Sequence, residues 1–174
     1  MIYLFITLVI VIFFAMPSAV DALGIALSSP IYTAFTYPLA HASFFHLAMN
    51  SLALTLLYQP AIKLYKQRFS TYRSPLVIVA YLCAVVAGLF SQAEIPTVGA
   101  SGIAYALLGM IVILAPNKKQ FATLLLLCIA TIIQSFNAHI NTRLHIIAFV
   151  LGITFICVRT FCYDYKHRYD TIAK

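Results

Sequence analysis

The chain has 174 residues, of which 63% are hydrophobic and only 9% are charged. Soluble domains typically carry about 25% charged residues, so this composition excludes an ordinary soluble enzyme or binding domain. The formal charge of +7 would suit nucleic-acid binding in a soluble protein, but in an apolar chain Lys and Arg mark the cytoplasmic side of a membrane. We therefore expect an integral membrane protein surrounded by lipid, with no nucleic-acid partner.

Six apolar segments are predicted along the chain, and together they indicate an all-α, polytopic bundle of six transmembrane helices. A bilayer core about 30 Å thick needs roughly 20 apolar residues per helix, so six spans occupy nearly all of residues 1–174 as a single membrane domain. The predicted spans are about 2–20, 41–59, 75–91, 99–115, 120–136 and 143–161, followed by a basic tail over about 163–174.

The first apolar segment is predicted to be an uncleaved helix. A secretory signal peptide begins with positive charge, and here no Lys or Arg precedes Lys63. The small residues 18–20 could serve as a cleavage site, so removal of the segment remains the alternative.

The basic residues predict the orientation of the bundle. Almost every Lys and Arg lies in residues 63–73, 118–119 or the tail, whereas the other connections hold Asp21, Glu94 and a single Arg143. Because Lys and Arg remain preferentially in the cytoplasm, both termini are expected there. The loops 21–40, 92–98 and 137–142 are then expected on the outward side.

The fourth span opens with Gly99, Ala100, Ser101 and Gly102, which places a serine in the first turn of a helix. Backbone N–H groups in a first turn lack helical partners and lie at the positive end of the helix dipole. They could therefore stabilise an oxyanion formed on a carbonyl that Ser101 attacks. The span has about 17 residues, or roughly 25 Å, so its outward end is expected below the membrane surface.

Small residues predict how Ser101 meets a base. Gly102 and Ala106 form one small-residue face, Ala148 and Gly152 form another, and such faces let membrane helices approach closely. His145 lies two turns before Gly152, so contact between the faces brings it to Ser101. Neutral imidazole is the usual base for a serine nucleophile, and no acidic residue lies inside any predicted span. A Ser–His dyad is therefore the only serine chemistry available.

Two polar side chains of the second span could complete an oxyanion hole. His46 and Asn50 are spaced i, i+4, so they share one helix face, and both can donate hydrogen bonds. Tyr105, one turn after Ser101, could stack on the ring of His145 and orient it.

Each of these features also has a simpler explanation. Small residues around a serine are common in packed membrane helices, and His46 with Asn50 could bridge two helices structurally. His41, His46 and His145 could bind a metal ion or haem, but no H-E-x-x-H pattern or acidic ligand accompanies them. We therefore expect no metal and no cofactor, and the joint pattern of residues favours catalysis.

The pattern as a set resembles the rhomboid family. The matching residues are the run from His41 through His46 to Asn50, the Gly99–Gly102 turn with Tyr105, and His145 with Gly152. The resemblance covers about residues 30–160 in the same order. It implies the six-helix fold, a Ser101/His145 dyad and an oxyanion hole formed by His46, Asn50 and the Ser101 amide. It also implies a first loop that dips into the membrane, and substrates that are transmembrane proteins cut in or near their membrane spans. Without a further domain, the chain resembles the minimal prokaryotic form, for which the inner membrane is expected.

Three positions depart from the family pattern. Tyr32-Thr33 stands where Trp-Arg is often found, residues 57–69 lack the acidic residue that often follows the second span, and Ala148 replaces a common Gly. The first two differences concern how the first loop and the second span are held, and they leave the dyad intact.

Two other functions remain open. A non-catalytic rhomboid-like chaperone or binding protein is the first alternative, although such relatives usually lose the Ser or the His. A small transporter or cofactor-binding membrane protein is the second, but it would be expected to carry polar residues near the middle of several spans. In this sequence the polar residues lie towards the outward ends of the predicted spans.

Overall fold

The computed structural model of the protein describes residues 1–71, 75–115, 117–122, 126 and 141–172, with side chains as far as residue 166. The described part is all-helical, apart from a single antiparallel bridge between Ile25 and Thr97. Its α-helices are α1 (Ile2–Ala15), α2 (Ala19–Leu23), α3 (Thr33–Thr36), α4 (Phe44–Phe69), α5 (Leu76–Phe90), α6 (Ser101–Leu114) and α7 (Thr142–Ile172). A 3-10 turn, Tyr37–Leu39, follows α3.

The predicted second, third, fourth and sixth spans each correspond to a helix, with shifted ends. In the first predicted span, about 2–20, helix α1 ends at Ala15 and the short helix α2 begins at Ala19. Helix α4 continues to Phe69 and α7 continues to Ile172, so most of the tail predicted at about 163–174 is helical. The predicted fifth span, 120–136, and the loop 137–142 lie largely outside the described residues.

Within the described residues, Thr142–Lys166 is the one helical stretch that is both long and apolar enough to cross a membrane by length and composition. Helices α1, α5 and α6 are apolar but have only 14, 15 and 14 residues. At 1.5 Å per residue they are roughly 21–23 Å long, shorter than a core of about 30 Å. The six-span topology therefore stays a prediction.

Local sequence signals set where α4 and α5 begin. Ser43 has extended backbone angles (φ −156°, ψ 162°), and its hydroxyl accepts a hydrogen bond from the amide of His46 at 3.1 Å. This is the N-cap arrangement that satisfies one of the free amides of a first turn. Pro75 directly precedes α5, and a proline disfavours the helical conformation at the residue before it. The cap at Ser43 fixes His46 and Asn50 in the first two turns of α4.

Helix α6 lies at the centre of the bundle, where it packs against α4, α5 and α7. Most of its side chains are buried, whereas the outer helices expose many large apolar side chains. Extended exposed apolar surface is typical of contact with lipid or a protein partner. The exposed residues on α1, α5 and α7 include Leu4, Leu8, Val11, Ile78, Leu82, Val150 and Val158.

Glycines bring the backbones of α6 and α7 into contact. A Cβ atom added to Gly109 would lie 2.3 Å from the carbonyl oxygen of Phe149, and one added to Gly152 would lie 2.2 Å from that of Ala106. Real Cβ atoms essentially never come within 3.0 Å of another atom. Only glycine therefore fits at these two positions, and the crossing aligns the first turn of α6 with the first turn of α7.

The C-terminal parts of α4 and α7 are joined by an ion pair and by aromatic contacts. The guanidinium of Arg68 donates to both carboxylate oxygens of Asp164, at 2.9 and 2.8 Å. The guanidinium of Arg159 lies 5.1 Å from the ring centroid of Phe69, and its Nε donates to the hydroxyl of Tyr65 at 3.3 Å. An acidic partner for this end of α4 thus comes from α7. Because the ion pair is about 40% exposed, it contributes only about 0–1 kcal/mol.

Candidate active site

Tyrosines hold the first loop where the sequence lacks Trp-Arg. Tyr37 is fully buried, and its hydroxyl donates to the carbonyl oxygen of Ala84 in α5 at 2.7 Å. Its own carbonyl accepts from the amide of Gly99 at 3.0 Å. The hydroxyl of Tyr81 donates to the carbonyl of Phe35. Tyr37 therefore links the first loop to α5 and to the turn that leads into α6.

At the positions aligned with Trp-Arg, Tyr32 is exposed and Thr33 is buried. The hydroxyl of Thr33 donates to the carbonyl oxygen of Pro30 at 2.6 Å, which closes a local turn. These two residues thus shape the loop locally, while the tyrosines anchor it to α5.

The turn before Ser101 requires glycine at position 99. Gly99 has φ +113°, a backbone conformation that L side chains rarely adopt. A Cβ there would also lie 2.7 Å from the ring of His46 and 3.1 Å from Nδ2 of Asn50. Both polar side chains of α4 therefore lie directly against the backbone that leads into the serine.

Ser101 and His145 lie side by side at the adjoining ends of α6 and α7. Oγ of Ser101 is 2.9 Å from Nε2 of His145, within hydrogen-bond distance. The imidazole is buried, the serine is half-buried, and Tyr105 stacks on the ring with a centroid distance of 4.2 Å and an interplanar angle of 15°. A neutral imidazole with its proton on Nδ1 can accept the serine proton at Nε2. The pair thus has the geometry of an activated nucleophile.

Two hydrogen-bond donors predicted for the oxyanion hole lie at the turn that leads into Ser101. Nδ2 of Asn50 is buried, and within the described part of the chain it has no hydrogen-bond partner. Leaving a buried donor unpaired costs about 1–3 kcal/mol, so a partner supplied by a substrate would compensate. As the first residue of α6, Ser101 has an amide with no partner inside the helix.

His41 accepts a hydrogen bond from the Ala100 amide, which is next to the Ser101 amide expected in the oxyanion hole. Nε2 of His41 accepts from the amide of Ala100 at 3.4 Å, and its ring lies 5.0 Å from that of His46. The Ala100 amide is therefore already paired, which leaves the Ser101 amide as the backbone donor expected in the oxyanion hole. His41 thus supports the turn that leads into Ser101.

The remaining predicted residues pack helices together. A Cβ on Gly102 would lie 3.0 Å from Cδ2 of Leu144 and from the hydroxyl of Tyr37, so the first turn of α6 fits closely against α7 and the first loop. Gly152 contacts the backbone of Ala106, two turns away from the dyad. The predicted site residues thus form one group around Ser101, except Gly152, which acts at the helix crossing.

Sequence reasoning missed several residues that hold this arrangement. Gly109 could have been predicted from the sequence, since it continues the small-residue face of Gly102 and Ala106. Asn141 precedes a helix, which is a typical capping position. Tyr37 and Thr97 carry no local signal, because their partners lie far away in the sequence.

The fold and the site together define a helical bundle with an apolar exterior and a Ser–His pair at the adjoining ends of α6 and α7. The chain belongs to the rhomboid family, since the family model for the Rhomboid domain matches residues 28–161. Members of this family are integral membrane proteins and are generally intramembrane serine proteases, although inactive members exist. A search of curated proteins found no match.

Proposed function

We propose that this protein is an intramembrane serine endopeptidase with Ser101 as nucleophile and His145 as general base. The observation that carries the proposal is the 2.9 Å contact between Oγ of Ser101 and Nε2 of His145. A packing serine needs no base beside it, and a packing histidine needs no parallel aromatic ring to orient it. Inactive members of the family exist, but this chain retains both residues of the pair.

The geometry supports a two-step acyl transfer. Oγ of Ser101 attacks the scissile carbonyl carbon as its proton passes to Nε2 of His145, and the developing oxyanion accepts hydrogen bonds from the Ser101 amide, His46 and Asn50. When the tetrahedral intermediate collapses, the C–N bond breaks and the leaving amine takes the proton from His145. Water, deprotonated by the same imidazole, then releases the acyl group and restores the serine.

The proposed substrates are single-span membrane proteins cut near the outward end of their helix. A helix must unwind to expose a carbonyl to the serine, and unpaired backbone groups are costly in lipid. Good substrates should therefore carry Gly, Pro or polar residues near the cut, with a small residue before it. A substrate with a continuous Leu-rich span should be cut much more slowly. Residence in a prokaryotic inner membrane, with both termini in the cytoplasm, completes the proposal.

A serine-directed fluorophosphonate tests the assignment directly. The detergent-purified protein should be labelled at one site, Ser101→Ala should abolish labelling, and His145→Ala should nearly abolish it because an unactivated hydroxyl is a weak nucleophile. Ser28, an exposed serine of the first loop, offers the matched control, and Ser28→Ala should label like the wild type.

The outcomes separate the alternatives. Labelling that persists in Ser101→Ala would move the nucleophile elsewhere. A folded wild type that neither labels nor cleaves would favour the non-catalytic chaperone or binding protein.

A further inference from the structure

The side chain of Asn141, which directly precedes α7, makes hydrogen bonds to three different segments near the dyad. Oδ1 of Asn141 accepts from the amide of Leu144 at 3.2 Å, which caps the first turn of α7. Its Nδ2 donates to the carbonyl oxygen of Ser91 at 2.7 Å and to Oγ1 of Thr97 at 3.0 Å. The side-chain amide of Asn141 therefore acts as acceptor and donor at the same time. The backbone carbonyl of Asn141 also accepts a hydrogen bond from the backbone amide of His145 at 3.4 Å.

The side-chain partners Ser91 and Thr97 lie in the segment between α5 and the turn that leads into Ser101. Ser91 directly follows α5, and Thr97 lies in the connection that runs from α5 into the Gly99 turn. The backbone of Thr97 pairs with Ile25 of the first loop through two hydrogen bonds of 2.8 and 3.0 Å. The side chain of Asn141 thus ties the helix of the proposed base to the turn of the proposed nucleophile and, through Thr97, to the first loop.

We infer that Asn141 is a positioning residue for catalysis, which sets the distance between His145 and Ser101 through its bonds to Ser91 and Thr97. This inference rests on the proposed function. His145 is one turn after Asn141, so any shift of the capped turn moves the imidazole with it. The glycine crossing at Gly152 holds α7 two turns further along, and the hydrogen bonds of Asn141 hold its first turn.

The capping and tethering roles can be separated by substitution. Asp and Ser are good N-cap residues, so Asn141→Asp and Asn141→Ser keep an acceptor for the Leu144 amide. A carboxylate cannot donate to the carbonyl of Ser91, and the serine side chain is too short to reach it. Both variants should therefore retain helix α7 while they lose the bond to the Ser91 carbonyl, one with an added charge and one without.

The matched control is the same substitution at a second capping asparagine. Oδ1 of Asn117 accepts from the amide of Gln120 at 2.9 Å, the same i to i+3 arrangement, and the side chain is exposed. Asn117→Asp adds the same charge to the same kind of cap without touching the site.

The experiment measures kcat and KM for cleavage of a transmembrane substrate, the rate of fluorophosphonate labelling and the melting temperature. A misplacement of about 1 Å can cost about 100-fold in rate. For Asn141→Asp and Asn141→Ser we expect kcat and the labelling rate to fall about 10- to 100-fold, with KM within about 2-fold. Asn117→Asp should match the wild type. Thr97→Val should have a smaller effect that does not add to that of Asn141→Ser, because both remove the same contact.

The results distinguish the inference from the proposed function. Wild-type kcat in both Asn141 variants, in a chain that labels at Ser101, overturns the positioning role alone. A fall in kcat accompanied by a lower melting temperature and a raised KM would show a general structural role, and it would also overturn the positioning role. A wild type that never labels overturns the protease assignment, and the positioning role with it.

Discussion

Replacement of Gly152 by alanine tests whether the crossing of α6 and α7 controls the dyad. The added methyl group would start 2.2 Å from the carbonyl oxygen of Ala106, and the carbonyl carbon would lie 3.0 Å away. Because the obstructing atoms are backbone, no side chain can rotate to make room. The contact must lengthen to at least 3.0 Å, so the two helices must separate by about 0.8 Å at this point.

Two quantities follow from that separation. Overpacking of a close contact costs about 1–3 kcal/mol, and the upper end applies here because both sides are main chain. If the separation carries along the roughly 10 Å from residue 152 to His145, the contact of 2.9 Å between Ser101 and His145 lengthens to about 3.7 Å. That distance is no longer a hydrogen bond.

The assay compares melting temperature, turnover and fluorophosphonate labelling in Gly152→Ala and the wild type. We expect a lower melting temperature and a fall in turnover of about 10- to 100-fold. Gly102→Ala provides a graded comparison for stability, since its Cβ would meet only side-chain atoms at 3.0–3.1 Å, and it should destabilise less. Unchanged stability and turnover in Gly152→Ala would refute the idea that this crossing sets the dyad.

Three further predictions concern the oxyanion donors and the orientation of the chain. Gly99→Ala should reduce turnover about 10- to 100-fold, because the methyl group lies 2.7 Å from the ring of His46 and must displace it; turnover equal to the wild type would contradict this. Asn50→Ala should lower kcat by up to about 100- to 1000-fold with KM little changed, and a folded double variant with His46→Ala that retains full turnover would refute the oxyanion assignment. Cysteines placed at Ser28 and Thr171 should be labelled from opposite sides of the membrane, and labelling from the same side would reject the six-span topology.

Much of the helical framework could be predicted from local signals. Apolar runs of helical length marked α1, α5, α6 and α7. The sixth span was predicted to end at about residue 161, and a polar, basic tail was predicted over about 163–174. In the structure that stretch stays helical as far as Ile172, where Arg68 pairs with Asp164 and aromatic rings pack between the helices.

The candidate site was predicted in a different way, from a set of residues spaced along the chain. The Gly99–Gly102 turn, the i, i+4 pair in α4 and the histidine before a small-residue face are sequence features. Their positions in the structure are consistent with the roles predicted for them, and those roles stay predictions until activity is measured. Asn141 and Tyr37 could not be assigned in advance, since each acts through hydrogen bonds to backbone carbonyls about 50 residues away.

The sequence by itself determined that the chain forms apolar helices, where several of them begin and which polar side chains they carry, because composition and capping act over a few neighbouring residues. Only the tertiary structure decided that Ser101 and His145, 44 residues apart, lie 2.9 Å from each other. That approach depends on backbone contact at Gly109 and Gly152 and on the tether from Asn141. These contacts join distant segments, and their distances depend on how whole helices pack.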